Sequence, residues 1–335
     1  MKKILFAVSS LWLWHATRSL VLIKQKLKQG YSIDIISFWN ALNYLKKELD
    51  WYQINFIELQ DYPALERWTW IKFYFYLISD LIKTKKIIKQ EKNFVKKIEN
   101  KYDEIYSDWR YWIYSRKIPS YLISHQLSFI MPKWLYFFSK IADLQNMFYF
   151  KKFNKVLIPD FEDEEKSLAW KLSHPSWINK INYEYIWILS DFDKYYDIQE
   201  NNKINYLFTI TWYLQEHKQS FINILIEQSK RLPWKKVFVL WDTNKNYKKY
   251  LWDNITIYSY VDKKEKKDFF QNAEIIISRA GYTTIMDLVR LNKKAILFPT
   301  PNQTEQEYLS DFLKDKWKFV IWKKPKDLIK LLKRL

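Results

Sequence analysis

The sequence predicts an α/β chain of two domains, each built on a parallel sheet. Three observations predict it. Short apolar runs alternate with longer amphipathic stretches, the pattern of βαβ units. The 335 residues suit two domains of about 150 residues, each able to bury a core. A polar stretch, Ser190–Asn205 (SDFDKYYDIQENNKIN), separates the halves. Domains are therefore expected at 1–189 and 206–335, with 190–205 as the linker.

In the first half, apolar runs bounded by turn residues place strands at Lys3–Val8, Ser32–Phe38, Gln53–Leu59, Glu104–Ser107, Ser120–Ile123 and Lys155–Ile158. Helical periodicity covers Ala16–Gln29, Ala64–Asn100 and Lys133–Lys152. In the second half, strands are expected at Tyr206–Ile210, Lys236–Leu240, Ile255–Tyr258, Glu274–Ser278, Ala295–Phe298 and Phe319–Ile321. Between them lie helices at Glu216–Arg231, Lys264–Asn272, Thr283–Leu291, Glu305–Lys314 and Lys326–Leu332.

The opening MKKILFAVSSLWLWHATR imitates a signal peptide. Its apolar run is short and lacks a small-residue cleavage site, so it reads as a buried first strand. The longest apolar stretch, Ile71–Ile82, is too short to span a bilayer and holds Lys72 and Asp80. A cytoplasmic protein is expected, with peripheral contact at the inner face of the membrane as an option.

Hydrophobic residues at 48% and charged residues at 28% are globular values. Without cysteine there is no disulfide framework, thiolate metal site or cysteine nucleophile. The net charge of +19 suits anionic partners. Much of it reflects coding bias instead, because 48 Lys against 8 Arg is what AT-rich codons give.

Coding bias does not explain 2 glycines beside 18 tryptophans. At the usual 7% or so, roughly 23 glycines would be present. AT-rich coding depletes Trp as well. Many of the Trp positions are therefore expected to be glycine, from a UGA codon read as Gly in the cell. Their placement agrees. Trp12 and Trp14 follow the first strand, where Gly lets backbone approach a phosphate. Trp234 and Trp317 lie past helix ends, where a Gly cap is expected. Trp241 ends a strand, and Trp51 and Trp109 follow Asp as in Asp-Gly turns. Trp70, Trp134 and Trp170 fit less clearly.

Two motifs carry chemistry. With glycine at 12 and 14, residues 10–19 read SLGLGHATRS, a strand-to-helix turn followed by His15 and Arg18. In the second half, Ile275–Gln306 reads IIISRAGYTTIMDLVRLNKKAILFPTPNQTEQ. There a strand delivers Arg279, Ala280 and Gly281 to a helix start, where free amides and the helix dipole suit a diphosphate.

These segments resemble the family 28 type glycosyltransferases of GT-B fold, over nearly the whole chain. The resemblance implies two Rossmann-like domains whose parallel sheets face a cleft. It implies an N-terminal acceptor domain and a C-terminal domain for a nucleotide sugar, UDP-linked, with no metal or other cofactor. Transfer to an acceptor hydroxyl, sugar or lipid-linked and of the cell envelope, would invert the sugar. Donor contacts would come from Arg279, Ala280, Gly281, Thr284, Asp287, Gln306 and Trp212. Asp287, a Glu in most of the family, would take the ribose hydroxyls, and Gln306 the sugar hydroxyls. Trp12, Trp14, Arg18 and His125 would line the acceptor and phosphate loop, with Gln126 beside them. Trp187 resembles the glycine before the linker.

His15 is the candidate general base, since neutral imidazole can take a hydroxyl proton near pH 7. The alternative is a histidine that only orients its loop. Arg18 is read as a phosphate ligand or a solvated helix charge, and His174 and His217 as surface. The acids Glu162–Glu165 are consecutive and do not converge on one ion. The closing helix could rest on anionic lipid or pack back on the N-terminal domain. Two other functions are kept. A sugar-nucleotide 2-epimerase of the same fold would return an epimerised sugar nucleotide rather than a glycoside. A basic nucleic-acid-binding protein would bind with steep salt dependence, but no motif supports nucleic acid as a partner.

Overall fold

In the computed structural model, residues 2–62, 70–130, 136–192, 203–210, 215–242, 245–251, 254–301, 303–314 and 316–334 are described. The chain divides into two compact units, Met1–Asp191 and Phe192–Leu335.

The first unit runs β1 (Lys3–Val8), α1 (Leu13–Lys28), β2 (Ser32–Ser37), α2 (Trp39–Glu48), β3 (Asn55–Glu58) and α3 (Trp70–Ile98). It continues with β4 (Glu104–Asp108), β5 (Ser120–Ile123), α4 (Tyr136–Phe150), β6 (Lys155–Ile158), α5 (Trp170–Ser173) and β7 (Tyr183–Tyr185). The sheet order is β3-β2-β1-β4-β5-β6-β7, with every pairing parallel. Ile4, Leu5, Phe6, Ala7 and Val8 are all buried. Such an unbroken apolar strand is what a parallel sheet covered on both faces requires.

The second unit runs β8 (Ile204–Thr209), α6 (Gln215–Ser229), β9 (Lys236–Val239), β10 (Lys248–Leu251), β11 (Ile255–Tyr258) and α7 (Lys263–Asn272). Then come β12 (Ala273–Arg279), α8 (Tyr282–Arg290), β13 (Lys294–Phe298), α9 (Thr304–Phe312), β14 (Phe319–Ile321) and α10 (Leu328–Leu332). Its sheet order is β10-β11-β9-β8-β12-β13-β14, and only the β10 edge is antiparallel. Phe208 and Phe238 stack in its core with ring centroids 4.1 Å apart.

In each sheet the strand order reverses once, between β1 and β4 and between β8 and β12. In α/β sheets such switch points open a crevice beyond the strand C-termini, where ligands bind.

Four elements were not legible. The edge strand β10 (KKYL) shows no apolar alternation, because three of its residues are exposed. β7 and α5 span only 3 and 4 residues. Helix α2 buries only Ala41, Leu42 and Leu45, a narrow stripe. The closing helix contributes to the second core. Leu328 and Leu331 of α10 lie in the core of the second unit, with Phe208, Phe221 and Leu225.

Backbone at φ > 0 is concentrated on one residue type. Of eight non-glycine residues there, among those described, six are Trp: 39, 109, 187, 234, 241 and 317. The other two are Asn254 and Asn292. Trp12 is different: at φ −142° it sits in ordinary extended backbone.

Candidate active site

The first switch point gathers five side chains from three strand ends. β1 leads into α1, whose first turns present His15, Arg18 and Ser19. β4 ends on Asp108, and His125 follows β5. Asp108 is fully buried and accepts from every side. Arg18 donates through Nε at 2.7 Å and also through Nη2, and Ser19 Oγ donates at 2.8 Å. His15 Nδ1 lies 2.7 Å from Oδ1. Arg18 Nη1 also donates to Nδ1 of His125 at 2.9 Å.

The protonation states follow. Burial alone would raise the Asp108 carboxyl. Arg18 and His15 outweigh it and hold the group well below the usual carboxylate range. An ionised Asp108 is acceptor-only, so its 2.7 Å contact assigns the bridging proton to His15 Nδ1 in preference to an acceptor role toward Arg18 Nη2 at 2.9 Å. Nε2 then keeps its lone pair, the arrangement of a base. Burial holds the His15 imidazole below its ordinary value, against the opposing pull of Asp108. It is neutral near pH 7.

A second buried network props up the loop after β3. Arg110 pairs with Glu91 of α3 at 2.7 Å and donates to the carbonyls of Leu59 and Gln60. Tyr62 donates to Glu91, and Asp61 accepts from Ser9 Oγ at 2.9 Å and from the Ser10 amide. The β1–α1 loop is thereby tied to the loop after β3.

At the second switch point, β12 ends on Arg279 and Gly281 caps α8 with no side-chain hydrogen bond. Neither φ nor crowding demands glycine at 281, since a Cβ there would meet nothing within 4 Å. The space beside the α8 amides is open. The Arg279 guanidinium lies 3.5 Å from the centroid of the Phe221 ring and donates to the Pro299 carbonyl at 2.9 Å. Burial lowers its pKa to about 10, so it remains a cation. Asp287 is buried and pairs with Lys266 at 3.0 Å. The side-chain oxygen of Gln306 accepts from the Thr300 amide at 2.9 Å. Ala280 is buried and Thr284 is half-buried. Lys218, close to this end of the sheet, donates to the Leu240 carbonyl at 2.6 Å. Burial lowers its pKa to about 8.

The structure thus brings His15, Arg18 and His125 together, and corrects the role of Arg18. Its guanidinium is wholly buried and committed to Asp108 and His125, so it is neither a phosphate ligand nor a solvated charge. Trp12, the N-cap of α1, and Trp14 in its first turn stack on each other at 4.8 Å. His174, expected at the surface, is half-buried between Trp170 and Tyr185. Trp212 and Trp134 lie outside the described residues, as does the His217 side chain. Asp108 was missed. Its signal was an acid at a strand C-terminus, masked by the turn reading of SDW.

Residues 199–324 match the glycosyltransferase family 28 C-terminal domain. The second unit is a family 28 glycosyltransferase domain. Sixty-five residues of the chain are 35% identical to a curated relative from Sulfurihydrogenibium sp. (strain YO3AOP1). That relative is a UDP-N-acetylglucosamine–N-acetylmuramyl-(pentapeptide) pyrophosphoryl-undecaprenol N-acetylglucosamine transferase. The match spans 19% of this chain and 18% of the relative's length. The solved calicheamicin glycosyltransferase CalG4 is similar with TM-score 0.66 and 10% identity, over 100% of this chain and 90% of its own. MurG of Acinetobacter baumannii is similar with TM-score 0.56 and 14% identity, over the same shares. These likenesses give the fold. The chain is of the family 28 type with the GT-B fold, and Arg279, Gly281, Asp287 and Gln306 all lie inside its matched family 28 segment.

Proposed function

We propose that this family 28 type chain is an inverting glycosyltransferase. It moves a sugar from a nucleoside-diphosphate donor, UDP-linked, to an acceptor hydroxyl. The observation that carries the reading is the His15–Asp108 pair at the first switch point. His15 Nε2 takes the proton of the acceptor hydroxyl. The freed oxygen forms a bond to the anomeric carbon as the bond from that carbon to the diphosphate oxygen breaks. Displacement from the opposite face inverts the centre, and the nucleoside diphosphate departs with the electron pair. Asp108 stabilises the imidazolium formed on His15. Arg279 and the α8 amides meet the charge growing on the diphosphate, with Asp287 on the ribose and Gln306 on the sugar.

The acceptor is proposed to be lipid-linked and of the cell envelope. The name of the curated relative supports this, since it specifies an undecaprenol-linked acceptor. No helix among the described residues is long and apolar enough to cross a membrane. Ile141, Leu144 and Phe148 are exposed along α4. With the charge of +19, they support peripheral contact with an anionic membrane from the cytoplasmic side.

The test is incubation with UDP-N-acetylglucosamine and a polyprenyl-diphosphate sugar, following UDP release and product mass. A glycoside of inverted configuration is expected. A 2-epimerised sugar nucleotide, or no turnover with any UDP-sugar, overturns the reading.

A further inference from the structure

We propose that Trp39, Trp109, Trp187, Trp234, Trp241 and Trp317 are glycines in the protein its own cells make, and that His15 is correspondingly open to an acceptor. The responsible codon would be UGA, read as glycine in the cell and as tryptophan in the translated sequence. The glycine assignment stands apart from the glycosyl-transfer reading, on which only the opening of His15 to an acceptor rests.

Backbone strain is the first ground. The six residues have φ between 46° and 68°. That region crowds Cβ of an L-residue and is open to glycine, with Asn the usual second choice. The two non-Trp residues there are both Asn. A bulky indole in the left-handed region is a rare outlier, and six in one chain do not arise from ordinary tolerance.

Side-chain placement is the second. Tryptophan is normally among the well-buried residues. Trp39, Trp187, Trp234 and Trp317 are 65%, 65%, 61% and 41% exposed. They sit where chains turn: at the first residue of α2, after β7, after α6 and after α9. By contrast, Trp322 packs on the second core and donates Nε1 to Asp327 at 2.8 Å. It behaves as a genuine indole.

Trp109 ties the inference to chemistry. It follows Asp108 at φ 62°. Its Nε1 is buried with no hydrogen-bond partner, a cost that an indole there should not carry. Its ring lies 5.6 Å from the His15 ring. His15 is 2% exposed. Glycine at 109 removes the strain, the orphaned donor and one of the two indoles beside the His15 ring, the other being Trp14 at 6.0 Å. Trp241 donates Nε1 to Thr209 Oγ1 at 2.8 Å and still carries φ 53°.

Peptide masses from the native organism decide the matter. Glycine at all six positions, with tryptophan retained at 322, is expected; tryptophan at any of the six overturns the proposal. Recombinant protein gives a second readout. Changing Trp39, Trp187, Trp234 and Trp317 together to Gly should raise the thermal midpoint by several degrees, whereas Trp322→Gly should lower it. Trp109→Gly should speed carbethoxylation of His15 by diethylpyrocarbonate, followed by peptide mapping. A lowered midpoint in the fourfold variant, or unchanged reactivity of His15, counts against it.

Discussion

His15 Nδ1 and Asp108 Oδ1 lie 2.7 Å apart, with both side chains sealed from solvent. The pair joins residues 93 positions apart in sequence through adjacent parallel strands. Because Asp108 is ionised, it fixes which ring nitrogen of His15 carries the proton. The remaining nitrogen is the one able to act.

His15→Ala should therefore lower kcat by roughly a hundred- to ten-thousand-fold, the usual worth of a positioned base. The fold should persist, since Arg18 and Ser19 still hold Asp108. Steady-state UDP release with circular dichroism as a control checks both halves of this expectation.

The pH profile should report His15 directly. Its folded pKa is depressed, chiefly by burial, from the ordinary 6.5. The acid limb of kcat/KM should lie below pH 6.5. Asp108 pulls the His15 value upward, so Asp108→Asn should move that limb further to acid as well as slowing turnover. Stability follows the same sign. Below about pH 6.5 the unfolded chain binds a proton that the folded chain resists, so stability falls as pH drops. The Asp108 contribution is present above its ordinary value of 3.8 and is lost as pH falls through the lower folded value.

Asp108→Ala leaves the Arg18 guanidinium buried without its carboxylate. Removing one partner of a buried pair typically costs about 3–5 kcal/mol. Urea unfolding should show a loss of that size. The double variant Arg18→Met, Asp108→Leu should lose less than the sum of the singles, because no charge is left unpaired.

Arg279→Lys should raise the KM for the donor about two- to thirtyfold, the range a lost cation–π contact of 0.5–2 kcal/mol gives. The stacking on Phe221 explains why a lysine charge alone is not equivalent. Arg279→Ala should lower kcat as well, since the departing diphosphate loses a cation. Initial-rate kinetics over a donor series separates the two effects.

Asp287→Ala should weaken UDP binding about ten- to hundredfold, as loss of hydrogen bonds to a charged group worth about 1.5–3 kcal/mol predicts. Titration calorimetry reads this without turnover. Unchanged affinity would assign Asp287 to its pairing with Lys266 alone.

The strands that carry both switch points were legible because their apolar runs are continuous. Lys3–Val8 and Ser120–Ile123 fall where the runs place them. His15 was legible from its place just beyond a strand. Asp108 was not, because its role depends on sheet order, which brings β4 beside β1 and is not written locally. The same holds for Arg18. Nothing in ATRSL distinguishes a solvated arginine from one buried between two histidines and an aspartate. The edge strand β10 was lost for the opposite reason. A solvent-facing edge rich in lysine resists pairing with other chains, and that same polarity erases the strand signal.

His15, Arg18, Asp108 and His125 all come from the first unit, while the residues proposed to meet the diphosphate come from the second. On the proposed reading, proton handling and leaving-group handling belong to separate units. On that reading, changes to the loops after β12 and β13 would alter the choice of donor. The reactivity of the acceptor end stays as it was, anchored by the single carboxylate on which that cluster converges.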